Sequence, residues 1–211
     1  MKVVILVNGE YGSYDFWYEV GLYDFCICAD NGLHHAKHLG IKPDLIMGDF
    51  DSADDAELQF FETQGVKIQR FNPRKDATDT ELAVEYAIEL GADEVVLCGG
   101  IGSRFDHSLA NIYLLNRLLK HHIKGSIIND THQIYLISDQ IMLKGSKGTL
   151  ISLLPFTEQV TGVTTYQLGY PLNRAVLTRE NALGVSNYFE EETAGVSIQS
   201  GVLMVLVVKE K

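Results

Sequence analysis

A chain of 211 residues, 46% hydrophobic and 21% charged, is long enough to bury a core without disulfide or metal staples, and its composition excludes a disordered acidic tail. Its 17 Lys+Arg against 28 Asp+Glu leave a net charge of −11, the wrong sign for a protein that tracks a nucleic-acid backbone. The acid is uneven: residues 1–130 carry 21 acids and 11 bases, whereas residues 131–211 carry 7 and 6.

In chain order, Val3–Val7 is a continuous apolar run that ends at Asn8-Gly9, and Phe25–Ala29 is a second that ends at Asp30. A short helix over Leu33–Leu39 stops at Gly40 and Pro43, and Leu45–Met47 is a third apolar run before Gly48-Asp49. The spacing then predicts a helix over Ala53–Thr63, a strand over Val66–Gln69 and a helix over Asp79–Leu90. A strand over Glu94–Cys98, a helix over His107–His121 and a strand over Ser126–Ile128 follow. Strands that are solid apolar runs alternating with helices call for a parallel sheet covered on both faces.

Near Asp130 the pattern changes. Gln133–Ile137, Gln140–Leu143, Thr149–Leu154, Val160–Thr165, Val196–Gln199 and Val202–Val208 are short β-like segments separated by Gly-, Ser- and Lys-containing turns. The expected architecture is an N-terminal parallel-sheet α/β domain over 1–130 followed by a C-terminal antiparallel β-sandwich over 131–211. Cys26, Cys28 and Cys98 lie in apolar runs with no C-x-x-C spacing, as reduced buried thiols do. The apolar start is too short for a secretory signal, and no stretch nears the roughly 20 apolar residues of a membrane helix. A cytoplasmic protein is expected.

Ligands bind open parallel sheets outside the carboxyl ends of the strands. Those ends carry Asp30, Asp49 with Asp51, Asp76 with Asp79, and Asp106, and the bases Lys75 and Arg104 join them. Each has a plain structural alternative: Thr78 and Glu81 form a T-x-x-E capping box, Asp79 and Asp106 suit helix starts, and Asp49 and Asp51 suit a solvated turn. Like charges gathered at one edge repel unless a cation joins them, and Mg²⁺-assisted phosphoryl transfer needs such a set. No Walker-type loop is present, and Gly99-Gly100-Ile101-Gly102 does not complete G-x-G-x-x-G. His34, His35 and His38 lack a fourth zinc ligand and read as a solvated helix face.

Asp30-x-Gly32, the run Pro43-Asp44-Leu45-Ile46-Met47-Gly48-Asp49-Phe50-Asp51-Ser52, Lys75-Asp76-Ala77-Thr78-Asp79 and Arg104-Phe105-Asp106-His107 occur in order. Tyr170-Pro171-Leu172 and Gly184-Val185-Ser186-Asn187 follow them. Together they resemble the thiamine pyrophosphokinase family, over nearly the whole chain. The resemblance implies an ATP-binding α/β domain, a thiamine-binding β-sandwich, and a homodimer with active sites between subunits. It implies transfer of diphosphate from ATP to thiamine with release of AMP. By resemblance Asp49, Asp51 and Asp79 are Mg²⁺ ligands, and Asp76, Thr78 and Arg104 hold the phosphates or the attacking alcohol. Asp30 and Lys75 belong to the substrate-binding set, and Asp106 faces the thiamine. Ser186 and Asn187 contact its pyrimidine, with Phe189, or the adjacent Tyr188, stacking on it from the partner subunit. The proton acceptor is Asp76 or Asp106. Two other readings are a Mg²⁺-dependent phosphohydrolase using Asp49-x-Asp51 and a non-catalytic thiamine or nucleotide sensor.

Overall fold

Continuous apolar runs of four or five residues suit strands covered on both faces. The computed structural model, which describes residues 1–50, 54–72 and 76–209, places them so. The described residues gather into two compact units, Met1–Asp130 and Thr131–Lys211.

In the first unit β1 (Lys2–Leu6), β2 (Phe25–Ala29), β3 (Leu45–Gly48), β4 (Lys67–Arg70), β5 (Glu94–Cys98) and β6 (Lys124–Ile128) form a parallel array. Its spatial order is β6-β5-β1-β2-β3-β4. Alternate side chains of the strands point to opposite faces. Val4, Leu6, Cys26, Cys28 and Ile46 pack on α2 (Gly32–Leu39) and α3 (Asp55–Thr63) through Leu33, Ala36, Leu58 and Phe61. The opposite set of side chains leaves the other face to α4 (Asp79–Glu89) and α5 (Phe105–Lys120), whose Ala83, Val84, Ala87, Leu115 and Leu118 are buried. Arg117 of α5 ties these two helices by pairing with Glu81 at 2.8 Å and with Glu85.

The predicted helices and strands of this unit lie where the periodicity put them, with ends shifted by a few residues. A short helical segment was not foreseen: a 3₁₀ turn over Tyr14–Phe16 runs into α1 (Trp17–Val20). Four residues make barely one turn, too few for a helical period to register. Its Phe16 and Val20 are buried all the same.

The second unit is all-β. Strand β7 is His132–Ile137, β8 Gln140–Lys144, β9 Leu150–Pro155 and β10 Gln159–Tyr166; β11 is Ala175–Thr178, β12 Asn187–Tyr188, β13 Thr193–Ser197 and β14 Leu203–Val208. They form two antiparallel layers, β12-β9-β14-β7 and β11-β10-β13-β8. Ile151, Leu153 and Val205 from the first layer meet Val160, Val163, Leu177 and Val196 from the second in one core. The strand expected over Val196–Gln199 begins three residues earlier, because Thr193-Ala194-Gly195 pair with Lys144, Leu143 and Met142 of β8 while offering little apolar side chain to detect.

Candidate active site

The strand order dictates where a ligand can enter the first unit. From β1 the chain winds outward through β2, β3 and β4, then returns to lay β5 on the other side of β1. The loops after β1 and β5 therefore diverge and leave a crevice at the carboxyl ends. A cleft of about 550 Å³ lies there. One wall is the segment from Val7 to Glu10, another is Gly99 to Arg104, and Asp30, Asp49 and the start of α4 complete it.

Two glycines set the acid cluster. A Cβ on Gly48 would lie 2.9 Å from Asp30 Cα, so only glycine lets β3 pass this close to the end of β2. Gly32, the first residue of α2, would carry a Cβ only 2.0 Å from the carbonyl oxygen of Leu6, so it brings that helix down onto the end of β1. Asp30 itself occupies the left-handed region at φ 49° and donates its N–H to Met47 O at 2.8 Å; Phe50, next to Asp49, has φ 57°. Non-glycine residues persist in that region only when their surroundings fix them, and such positions cluster at functional sites.

With the backbone so arranged, one carboxylate oxygen each from Asp30, Asp49 and Asp79 falls within 4.8 Å of the other two, all three half-buried. Three half-buried carboxylates at this separation suit a divalent cation with oxygen ligands. The group differs from the sequence expectation in membership. Asp30, assigned there to substrate binding, joins Asp49 and Asp79, whereas Asp51 and Lys75 lie outside the described residues. Asp76 is exposed. Thr78 is the N-cap of α4, its Oγ1 accepting from Glu81 N at 3.1 Å, and it also lines the cleft. The predicted capping box is thus half used for its own helix, since the Glu81 carboxylate serves Arg117 instead.

Arg104 occupies the N-cap position of α5 without a side-chain capping bond and lines the cleft, and its guanidinium grips Asp106 twice: Nε donates to one carboxylate oxygen at 2.9 Å and an Nη to the other at 2.6 Å. That hydrogen-bonded guanidinium holds the Asp106 carboxyl well below the usual carboxylate range. Asp106 is therefore a weaker proton acceptor than an ordinary aspartate. Three cleft residues are hard to find in the linear sequence: Glu10, Ser108 and Asn111. The latter two are polar residues buried on α5 at positions where its face further on carries Leu114, Leu115 and Leu118. A break in apolar periodicity was the only available sign.

Of the three α2 histidines, His34 and His38 are exposed, as expected of a solvated helix face, and His35 is not. His35 is half-buried, its ring stacked on Tyr11 at 3.5 Å and its Nδ1 2.7 Å from the Tyr14 hydroxyl; His38 stacks on Tyr14 at 4.1 Å. His34 stays exposed, with Nδ1 3.2 Å from Glu57. Burial pushes the His35 imidazole down to about 4, so it is neutral near pH 7.

In the second unit Asn187 is buried and locks the Tyr170-Pro171-Leu172 turn: Oδ1 accepts from Tyr170 N at 2.8 Å and Nδ2 donates to Tyr170 O at 2.7 Å. This explains why the two late motifs occur together. Its side-chain oxygen and nitrogen thus both serve the fold of this turn. Ser186 is exposed at φ 61° and donates its N–H to Ser152 Oγ. Phe189, the expected stacking residue, is 0% exposed, its ring packed in the core of this unit. Tyr188 is half-buried, with its ring edge-on to the exposed Tyr170 at 5.6 Å.

The first unit is thus a doubly wound α/β protein with an acidic, glycine-walled cleft at its switch point, followed by an antiparallel β-sandwich. A family model described as the thiamin pyrophosphokinase catalytic domain matches residues 18–127, and one described as its vitamin B1 binding domain matches residues 131–203. Thiamine pyrophosphokinase of Bacillus subtilis is 30% identical over 182 residues, covering 85% of this chain and 85% of that protein. Thiamine pyrophosphokinase 1 of Oryza sativa is 26% identical over 84% of this chain and 76% of its own length. The crystal structure of the Bacillus subtilis protein superposes with a TM-score of 0.90 at 26% identity and 100% coverage of both chains. The Candida albicans protein, at 17% identity and a TM-score of 0.81 over 99% of this chain and 89% of that one, shares the fold. The chain belongs to the thiamine pyrophosphokinase family of enzymes.

Proposed function

We propose that the chain transfers the terminal diphosphate of ATP to the hydroxyethyl oxygen of thiamine, giving thiamine diphosphate and AMP. The observation that carries this reading is the convergence of Asp30, Asp49 and Asp79 beside a cleft walled by glycine-rich backbone and by Arg104, in a chain of this family. The hydroxyl oxygen of thiamine forms a bond to the β-phosphorus of ATP, the bond from that phosphorus to the oxygen of the AMP group breaks, and the hydroxyl proton passes to a carboxylate. Asp76 and Asp106 are the candidates for that acceptor; the grip of Arg104 on Asp106 favours Asp76.

Asp30, Asp49 and Asp79 would hold Mg²⁺, with Asp51 added by its D-x-D motif. When bound, the ion supplies positive charge to the phosphate oxygens. The protein's own share is positioning and charge neutralisation. Arg104 offers a guanidinium to the polyphosphate, Thr78 and the adjacent amides at the start of α4 offer hydrogen bonds, and Lys75 joins them by its motif. Within the second unit, Tyr188 and Ser186 are the groups left at the surface to meet the cationic vitamin. A thiazolium ion over a tyrosine ring gains roughly 0.5–2 kcal/mol. The chain would act as a cytoplasmic homodimer, and a sedimentation equilibrium mass equal to the single 23.5 kDa chain would remove that part of the proposal.

The test is AMP release from ATP and Mg²⁺, measured with and without thiamine. AMP should appear only with thiamine. Asp79→Ala should abolish it in a protein that still folds, and near-normal turnover in that variant would overturn the cation site. Inorganic phosphate released without thiamine would favour the phosphohydrolase, and binding without turnover the sensor.

A further inference from the structure

Helix α5 turns a polar edge to the cleft. Arg104 stands at its N-cap, and Ser108 and Asn111 follow four and seven residues on, close to one face of the helix. Both are buried, and buried polar groups are costly unless they are paired. Their partners are all backbone groups of the loop that delivers Arg104. Asn111 Nδ2 donates to Gly100 O at 2.8 Å. The Ser108 hydroxyl accepts from Gly102 N at 3.1 Å, and its single proton serves Arg104 O at 3.1 Å or Gly102 O at 3.2 Å. From the opposite wall, Glu10 Oε1 accepts from Ser103 N at 2.8 Å, and Glu10 N donates to Ile101 O at 3.2 Å.

The segment from Gly99 to Arg104 is thereby held from two sides. A loop with three glycines in six residues has many conformations to lose, and fixing one of them costs backbone entropy at each residue. Arg104 makes no side-chain cap for α5, so helix capping at this end does not fix the loop. The side chains that do fix it are Ser108, Asn111 and Glu10.

We propose that Ser108, Asn111 and Glu10 are positioning residues for the diphosphate transfer, holding the 99–104 segment so that the Arg104 guanidinium meets the polyphosphate of ATP. The inference rests on the functional reading above. Glu10 acts here through its acceptor oxygen and not its charge, since a negative side chain in a phosphate cleft is otherwise unfavourable. A purely structural role would lower the melting temperature and leave the ATP parameters of the folded enzyme unchanged. A positioning role lowers kcat/KM for ATP and spares the KM for thiamine, because a displacement near 1 Å at the reacting groups costs up to about 100-fold.

The experiment uses the full chain with Ser108→Ala, Glu10→Ala and Glu10→Gln. Folded fractions come from circular dichroism, and calorimetry follows binding of a non-hydrolysable ATP analogue. Ser108→Ala should lower kcat/KM for ATP about 10-fold or more and weaken the analogue, with the thiamine KM within about twofold. Glu10→Ala should share the defect, and Glu10→Gln, which keeps the acceptor, should restore it. Unchanged ATP parameters in folded Ser108→Ala overturn the proposal. A Glu10→Gln enzyme as impaired as Glu10→Ala does so as well, by making the charge the operative feature. If the unaltered protein releases no thiamine-dependent AMP, it is the functional reading that fails.

Discussion

Phe189 has lost all solvent exposure in the core of the second unit, its ring 3.1 Å from where a side chain on Gly145 would begin, while Tyr188 keeps part of its ring at the surface. Successive residues of extended backbone face opposite ways, and Phe189, bridged to Leu168 just beyond β12, faces the core while Tyr188 faces out. Nothing in the two aromatic letters says which way each faces. Phe189→Ala should therefore cost about 3–5 kcal/mol of stability, read from urea midpoints, because it empties a packed site. Tyr188→Ala should leave stability closer to normal and raise the thiamine KM roughly 2- to 30-fold with the ATP KM unmoved. A stable Phe189→Ala protein with a selective thiamine defect would reverse the assignment. Asp30 makes the same point among the acids. It shares a cluster with Asp49 and Asp79 because β2 and β3 are neighbours in the sheet, a fact of pairing and not of spacing along the chain.

Helix α2 shows how an element is placed by one atom that is missing. Gly32 opens the helix against the carbonyl of Leu6, and any side chain there meets backbone, which cannot swing aside as the end of a long side chain can. Gly32→Ala should push α2 from β1 and cost about 3 kcal/mol, at the upper end for overpacking. Equilibrium unfolding in urea measures it, and a loss under about 0.5 kcal/mol, the range of a neutral surface change, would show that the helix shifts freely. The acid cluster depends on the same layer, since β2 leads through Asp30 into α2. Helix α5 is placed differently. Its Leu114, Leu115 and Leu118 bury against the sheet, while its first turns keep polar residues for the loop they hold.

At the scale of the whole molecule, acid stability follows from His35. The groups around this ring are Tyr11, Tyr14, His34, His38 and Glu57. Burial is the largest influence and lowers its pKa from 6.5 to about 4; His34 and His38 add to the effect, and Gly9 and Glu57 oppose it. The unfolded chain then binds this proton more tightly than the native state does. The stabilising contribution is complete above about pH 6.5 and is lost as pH falls toward about 4. With solvent screening of a half-exposed group it amounts to about 1–2 kcal/mol. Urea midpoints near pH 7 and near pH 5 should show a loss for the unaltered protein that shrinks in His35→Phe. Equal losses in both would refute the contribution.

The fold class was legible in the sequence because burial writes itself as periodicity: solid apolar runs for the parallel strands, short β-like segments after residue 130. Asp49, Asp79 and Arg104 were legible for a related reason, since a ligand site on a parallel sheet must draw on the residues that follow its strands. What needed the tertiary structure was every property set by pairing between distant segments. The strand order made Asp30 a member of the acid cluster, and the return of the chain to β5 put Glu10 opposite Ser103. Packing buried Phe189, left part of Tyr188 at the surface and turned Asn187 to its own fold. A sequence records which residues are apolar and which carry charge, but distances across a sheet arise only when strands far apart in the chain lie side by side.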